Sequence, residues 1–397
     1  MPDHLPPLPL FIDYQRPTLD GFAMLTEQDE LGISHALRLH GRVSHIKLVL
    51  QPSILKKVIM LMDEHFPILQ HLSLKVLPAS ENSVPLTLPK AFLAPNLRHL
   101  TLPGISPPRR LRLLTSTPSL VTLDLSNIET SGYFRPRLLV ARLQSLPRLK
   151  ELSIEFSTPI SHPGTERELI GEQGTLTTLP SLKNLRLKGV GAYLESFVAQ
   201  IRVPRLEQLR IMLFSPIAFE LPHIFHLINI TEALKFPTAT IYFDNNEVYI
   251  GMSNQGTFLF HVICKQLGLQ ADYASQICHA LIPALSGVQR LRLLSYRRNI
   301  PNVFQHGATD SATWHGLLRM FTELTDLYIC DALVRELSHA LQMGGVGSDP
   351  GFLPNLRSIH AQYNQFAPFI TTRQVVGRPV QFDGSDAGYW SILGSIR

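Results

Sequence analysis

The chain has 397 residues, 45% of them apolar and 17% charged, with 36 Lys+Arg against 31 Asp+Glu for a formal charge of +5. That apolar content excludes a wholly disordered chain, no apolar run reaches the ~18–20 residues of a membrane span, and three cysteines are too few for a disulfide framework. The charge is mild for this length and its basic groupings are short (Arg109, Arg110 and Arg112; Arg290, Arg292, Arg297 and Arg298), so a nucleic-acid partner is not expected.

Met1–Tyr14 lacks a basic stretch followed by a long apolar core, so no secretory signal is read and an intracellular location, cytoplasm or nucleus, is expected. A helix over Glu27–Leu39, capped by Thr26, is expected to close the N-terminal end of a repeat array that begins at Val43. From Val43 onward one phrase, L-x-x-L-x-L, recurs. After a degenerate copy at Val43 it starts at Leu69, Leu97, Leu120, Leu149, Leu182 and Leu206, then at Val288, Leu324 and Leu356. In a strand the fourth and sixth positions point to one side, and the first enters the core just ahead of the strand. A single unit cannot bury its own leucines, whereas stacked parallel units share one core. Proline stands two residues before the first leucine in most copies (Pro67, Pro95, Pro118, Pro147, Pro180, Pro204, Pro354), where it is expected to stop a helix and force an extended entry.

Between phrases, apolar residues at helical spacing predict helices over Ile54–His65 (capped by Ser53), Arg137–Leu146, Tyr193–Ile201, Ala271–Leu285, Ala312–Phe321 and Ala332–Met343. Phe236–Lys265 breaks the pattern and reads as a hairpin plus a further strand, one repeat rebuilt with a two-stranded projection. The expected fold is α/β, a leucine-rich-repeat solenoid of about ten irregular repeats. It would be a horseshoe with a parallel sheet on the concave face, helices and loops on the convex face, and the hairpin insertion near 236–265. Its expected parts are an N-terminal segment with the capping helix (1–42), the array (43–382), a flexible loop at Gly344–Gly351 and a loosely attached tail (383–397).

No chemistry-bearing constellation stands out. The 16 histidines show no metal-ligand spacing: His35, His40 and His45 do not share a helix face, and there is no Cys-x-x-Cys or His-Glu-x-x-His. Cys278-His279 lies on an apolar helical stretch, as a buried thiol would, and no Gly-x-Ser-x-Gly elbow occurs. The reading is a chain without catalytic residues, metal or cofactor, whose histidines are structural or surface groups. What remains is surface. Positions three, five and seven of each phrase line the concave face, where Asp124, Glu151 and Glu155 make an acidic step followed by a basic one of Arg186, Lys188 and Arg210. With Arg292 and Tyr328 further on, these form a candidate bipolar face for a protein partner, because complementary charge steers and orients docking.

The opening PLPLFIDY, then EQDELGISHAL, GRVSHIKLVL, LPKAFLAPNLRHLTL, LLTSTPSLVTLDLSNI, LVARLQSLPRLKELSIEFSTPI and FPTATIYFD, resemble the repeat region of F-box/leucine-rich-repeat proteins of mushroom-forming fungi. The resemblance covers roughly residues 8–382. It implies repeats that recruit a protein substrate, next to an F-box that binds the adaptor of a cullin-type ubiquitin ligase. The residues ahead of the first phrase are too few to build that helical module, so the expectation is a repeat region without its F-box. A repeat-only binding or sensor scaffold with no ligase role is the alternative.

Overall fold

The computed structural model describes residues 8–15, 17–18, 21–22, 25–77, 86–106, 112–129, 132–159, 175–214, 221–244, 246–252, 258–264, 269–295, 311–345, 352–362 and 364–384. Contacts divide the chain into two compact units, Met1–Leu206 and Glu207–Arg397. Both are α/β, built around a large and mostly parallel sheet, and no described helix is long and apolar enough to cross a membrane.

In the first unit seven strands lie side by side in chain order, all parallel: β1 (Leu10–Tyr14), β2 (Val43–Leu50), β3 (His71–Val76), β4 (His99–Thr101), β5 (Thr122–Ile128), β6 (Glu151–Phe156) and β7 (Asn184–Gly189). Each leucine phrase forms one strand, and equivalent positions stand opposite one another: Leu72 faces Leu100, Leu100 faces Leu123, and Leu152 faces Leu185. The phrase leucines are 0–1% exposed in these repeats, for example Leu97, Leu100, Leu120 and Leu123. This in-register stack is an array of repeating leucine phrases. Leu10–Tyr14 carries no phrase yet pairs along β2. The chain continues through helices α1 (Glu27–Arg38), α2 (Pro52–Met60), α3 (Arg112–Thr115), α4 (Pro136–Leu143) and α5 (Gly191–Val198).

The second unit has eight strands: β8 (Gln208–Leu213), β9 (Thr238–Phe243), β10 (Glu247–Met252), β11 (Phe258–Ile263), β12 (Arg290–Ser295), β13 (Asp326–Ile329), β14 (Ser358–His360) and β15 (Gln381–Asp383). Their order is β8-β11-β10-β9-β12-β13-β14-β15. The helices are α6 (Pro222–Ile230), α7 (Gln270–Ala280), α8 (Ile282–Leu285), α9 (Ser311–Arg319), α10 (Val334–Gly345) and α11 (Ala367–Val375).

Several expectations need correction. The hairpin is no projection: β10 runs antiparallel between β9 and β11, while β11 is parallel to β8 and β9 to β12. Its apolar residues explain this, since Val248, Ile250 and Met252 of the central strand are all 0% exposed and need the sheet's core side. The prolines do not simply stop helices. They occupy the second position of a tight turn closed by the first phrase leucine, whose N–H bonds the carbonyl three residues back: Leu69 to Phe66, Leu97 to Ala94, Leu120 to Thr117, Leu149 to Leu146. Proline pre-sets the backbone angle that position needs. Helix α2 starts at Pro52 behind Gln51 rather than behind a Ser53 cap, because proline is pre-organised for the first helical position. The stretch expected as one helix over Ala271–Leu285 is broken at Leu281, where Pro283 lacks the N–H and crowds the preceding turn. Gly344 and Gly345 belong to the end of α10, while 346–351 and 385–397 lie outside the described residues. Thr26 does cap α1, in a reciprocal pair with Asp29.

The turns are tied to one another. Asn96 donates from Nδ2 to the Pro67 carbonyl (2.7 Å), the Ser181 hydroxyl to that of Pro147 (2.8 Å), and Asn355 to that of Thr322 (3.2 Å). Each donor holds the third position of its own turn, and each acceptor the second position of the turn one repeat earlier.

Candidate partner-binding face

Because strand side chains alternate, burying the phrase leucines sends the odd positions to the opposite, open face. In the first unit that face carries two rows running across the strands. One row holds Phe11, His45, His71, His99, Thr122 and Glu151, each opposite the next in register. The other holds Asp13, Lys47, Ser73, Thr101, Asp124, Ser153 and Arg186.

The acidic and basic steps meet here. Lys188 stands opposite Glu155 and Arg186 opposite Ser153, while Asp124 faces Ser153 from the other side. The Ser153 hydroxyl donates to Glu155 Oε1 at 3.2 Å. Burial pushes the Asp124 carboxyl up; the Ser126 hydroxyl and Arg186 pull it down, and Glu155 adds to the rise. Glu151 is exposed in the first row between Thr122 and Asn184, and its carboxylate accepts from the Thr122 hydroxyl at 3.4 Å. Asp124, Glu151, Glu155, Arg186 and Lys188 therefore share one face of adjacent strands. Arg210 lies on β8 of the second unit, opposite Leu259 of β11.

Arg292 and Tyr328 are also brought together. They stand opposite each other on β12 and β13, with the guanidinium 5.6 Å from the ring centroid, a cation–π distance. Tyr328 in turn stacks on His360 at 4.2 Å.

Three arrangements on the open faces escaped sequence reasoning. The first is the ring column of the first unit: Phe11 on His45 at 4.4 Å, His45 on His71 at 4.5 Å, His71 on His99 at 4.1 Å, all near-parallel. It borders a groove of about 390 Å³. The sequence carries a signal for it: each of these histidines holds the third position of its phrase in three consecutive repeats, so the repeat step itself stacks them. Desolvation lowers the pKa of His71, with His99, His45 and Arg98 adding to the effect; desolvation also lowers that of His99, with Glu151 opposing.

The second arrangement comes from the rebuilt repeat, where no phrase points to it. Tyr249 stacks on His261 at 4.0 Å, its hydroxyl donates to Glu247, and His261 Nε2 lies 3.2 Å from Glu247 Oε2. Burial and that carboxylate push the Tyr249 hydroxyl well above its ordinary range.

The third has the residue types of a hydrolytic triad. Ser358 Oγ is 2.9 Å from His360 Nε2, and His360 Nδ1 is 3.2 Å from Asp383 Oδ2. The hydroxyl, however, donates its only proton to Asp326 Oδ1, at 2.5 Å. No proton of Ser358 faces the imidazole, so the nucleophile–base hydrogen bond of a triad is missing. Burial raises the Asp326 carboxyl, but the hydroxyls of Ser358 and Thr325 outweigh it and the net shift is downward, as a carboxylate accepting donors requires. The row reads as a clasp between β13, β14 and β15.

The remaining candidates are quickly placed. Cys278 is fully buried and desolvation pushes its thiol far up, which suits an inert core thiol. Among the described residues no His/Cys/Asp/Glu group is placed to hold a metal. Arg109, Arg110, Arg297 and Arg298, the core of the basic groupings, lie outside the described residues.

No family model matches the chain, and no curated protein matches it. Among solved structures it is similar to the leucine-rich repeat-containing protein LegL7 from Legionella pneumophila, at 12% identity over 85% of this chain and 92% of that one, with a TM-score of 0.33.

Proposed function

We propose that this chain is a protein-interaction scaffold whose open sheet face takes up a protein partner. The observation that carries this reading is the face of β5, β6 and β7, where Asp124, Glu151 and Glu155 stand against Arg186 and Lys188 on strands whose other side is a leucine core. A rigid parallel sheet fixes these charges at strand spacing, and a fixed bipolar pattern selects both a partner and its orientation. In the second unit Arg210 and the stacked Arg292–Tyr328 pair belong to the same reading, since an aromatic ring with a guanidinium over it is a frequent anchor in protein interfaces.

The test is affinity capture with the full chain against the E151K/E155K variant, both first checked for equal melting temperature. The expected result is loss of the captured partner in the variant. Equal capture moves the interface off this face.

The narrower reading is a substrate receptor of a cullin-type ubiquitin ligase. It rests on the resemblance of the repeat phrases to F-box/leucine-rich-repeat proteins. Stoichiometric recovery of the ligase adaptor with the chain supports it; recovery of other proteins without the adaptor leaves a binding scaffold outside any ligase.

A further inference from the structure

The ring column of the first unit has a defined hydrogen-bonding sense. The Ser44 hydroxyl donates to the Leu10 carbonyl (3.2 Å), so its contact with His45 Nδ1 (3.0 Å) must be received from an Nδ1–H. His99 Nδ1 lies 3.1 Å from the Thr122 hydroxyl, which also lies 3.4 Å from the Glu151 carboxylate. A neutral His45 ring held this way carries its proton on Nδ1 and keeps a bare Nε2, an acceptor with no partner among the described residues. The column's row continues through Thr122 to the exposed carboxylate of Glu151 and on to Asn184, with Asp124 in the neighbouring row. At the other end Phe11 is 65% exposed, with a ring available to a planar cation and the Asp13 carboxylate two residues along the same strand face. At ~4.8 Å per strand the row from β1 to β6 spans about 24 Å, the reach of roughly seven extended residues.

The charges facing the column come from each packed strand. Asp13 lies on β1, Lys47 on β2, Lys75 on β3, Arg98 ahead of β4, Asp124 on β5, Glu151 and Glu155 on β6, and Arg186 and Lys188 on β7, opposite Ser153 and Glu155. Lys47 stands opposite Asp13 in register, and Lys75 lies four residues beyond His71, away from the ring row. Asp13 and Glu155 already face Lys47 and Lys188, so what the column offers a donor-rich ligand while the imidazoles are neutral is the His45 acceptor, the exposed Phe11 ring and the Glu151 carboxylate. Protonation reverses this, placing like charges on rings 4.1–4.5 Å apart and repelling a cationic guest.

We propose that the column from Phe11 to His99, with Glu151 further along its row, seats a lysine- or arginine-bearing segment of a protein partner, holding it at neutral pH and releasing it when the imidazoles protonate. This rests on the protein-scaffold reading above and names the partner's chemistry and its control. The chain's own net charge of +5 disfavours cations in general, so uptake of a basic segment needs a local seat.

The probes are a nine-residue Arg-Gly alternating peptide and its Glu-Gly counterpart, titrated calorimetrically into the full chain at pH 7.5 and 5.5. The expected result is binding of the arginine peptide at pH 7.5, at least about tenfold weaker at pH 5.5, with no binding of the glutamate peptide at pH 7.5. In the His45→Gln/His71→Gln/His99→Gln variant the arginine peptide should bind equally at both pH values, because no imidazole of the column is left to protonate. If that variant does not fold, imidazole nitrogen NMR of the unaltered chain serves: the arginine peptide at pH 7.5 should move the bare Nε2 resonance of His45. Four results overturn the proposal: no arginine-peptide binding, equal binding at both pH values, pH dependence surviving in the triple variant, or preferential uptake of the glutamate peptide in acid. A chain that fails these tests yet loses its partner on E151K/E155K keeps the scaffold reading and loses only this inference.

Discussion

The imidazole of His71 lies 4.1 Å from that of His99, ring over ring, on neighbouring parallel strands. Stacking of this kind tolerates neutral rings and opposes charged ones, and burial lowers the pKa of both relative to 6.5. A depressed histidine pKa in the fold means the unfolded chain binds more protons, so stability rises with pH in that interval. The stabilisation is therefore complete above about pH 6.5 and drains away as pH falls toward the folded-state values. Thermal melts should show a lower Tm at pH 5.5 than at pH 7.5. His71→Phe, which keeps a stacked ring without a proton site, should reduce that difference; an unchanged difference would place the acid sensitivity elsewhere.

The turn-to-turn ties predict small, separable losses. Asn96→Ala removes the bond to the Pro67 carbonyl and Asn355→Ala the bond to that of Thr322. Each should cost about 0.5–1.5 kcal/mol in chemical denaturation. The two share no partner, so the double variant should lose about their sum. A loss below the error of the melt in both would mean that water replaces these bonds.

The core prediction contrasts two leucines of one unit. Leu123 is 0% exposed inside the leucine stack, and Leu123→Ala should cost about 2–5 kcal/mol, since the neighbouring strands hold the cavity open. Leu138 on α4 is 48% exposed, and Leu138→Ala should stay within about 0.5 kcal/mol. Comparable losses at the two sites would contradict the facing of these elements.

For the Ser358–His360–Asp383 row, the structure predicts unreactivity. With the hydroxyl proton directed to Asp326, a fluorophosphonate probe should leave Ser358 unlabelled, as read by mass spectrometry of the full chain. Labelling of Ser358 that is lost in His360→Gln would show a working nucleophile–base pair instead.

Much of this fold is legible in the sequence because the L-x-x-L-x-L phrase states both a face and a repeat. The phrase alone assigns Leu100, Leu123 and Leu152 to one core, and Asp124, Glu155 and Arg186 to the open face. Less legible is anything decided by lateral pairing. Nothing in Glu247–Met252 says whether a hairpin projects or inserts; the need to bury Val248, Ile250 and Met252 on one side decides it. Leu10–Tyr14 has no phrase and joins the sheet through its pairing with β2. The histidine column is present in the sequence but invisible when each histidine is weighed singly as a metal ligand. Its significance lies in the shared position three, which the parallel register converts into a stack.

The scaffold reading is best tested by site-specific photo-crosslinking of the full chain in its own cells, with the crosslinker at Asn184 on the open face of β7 or at exposed Leu138 on α4. A partner adduct from position 184, absent from 138 and lost in the E151K/E155K background, is the expected result. Adducts from 138 with none from 184 would put the interface on the helical side and contradict it.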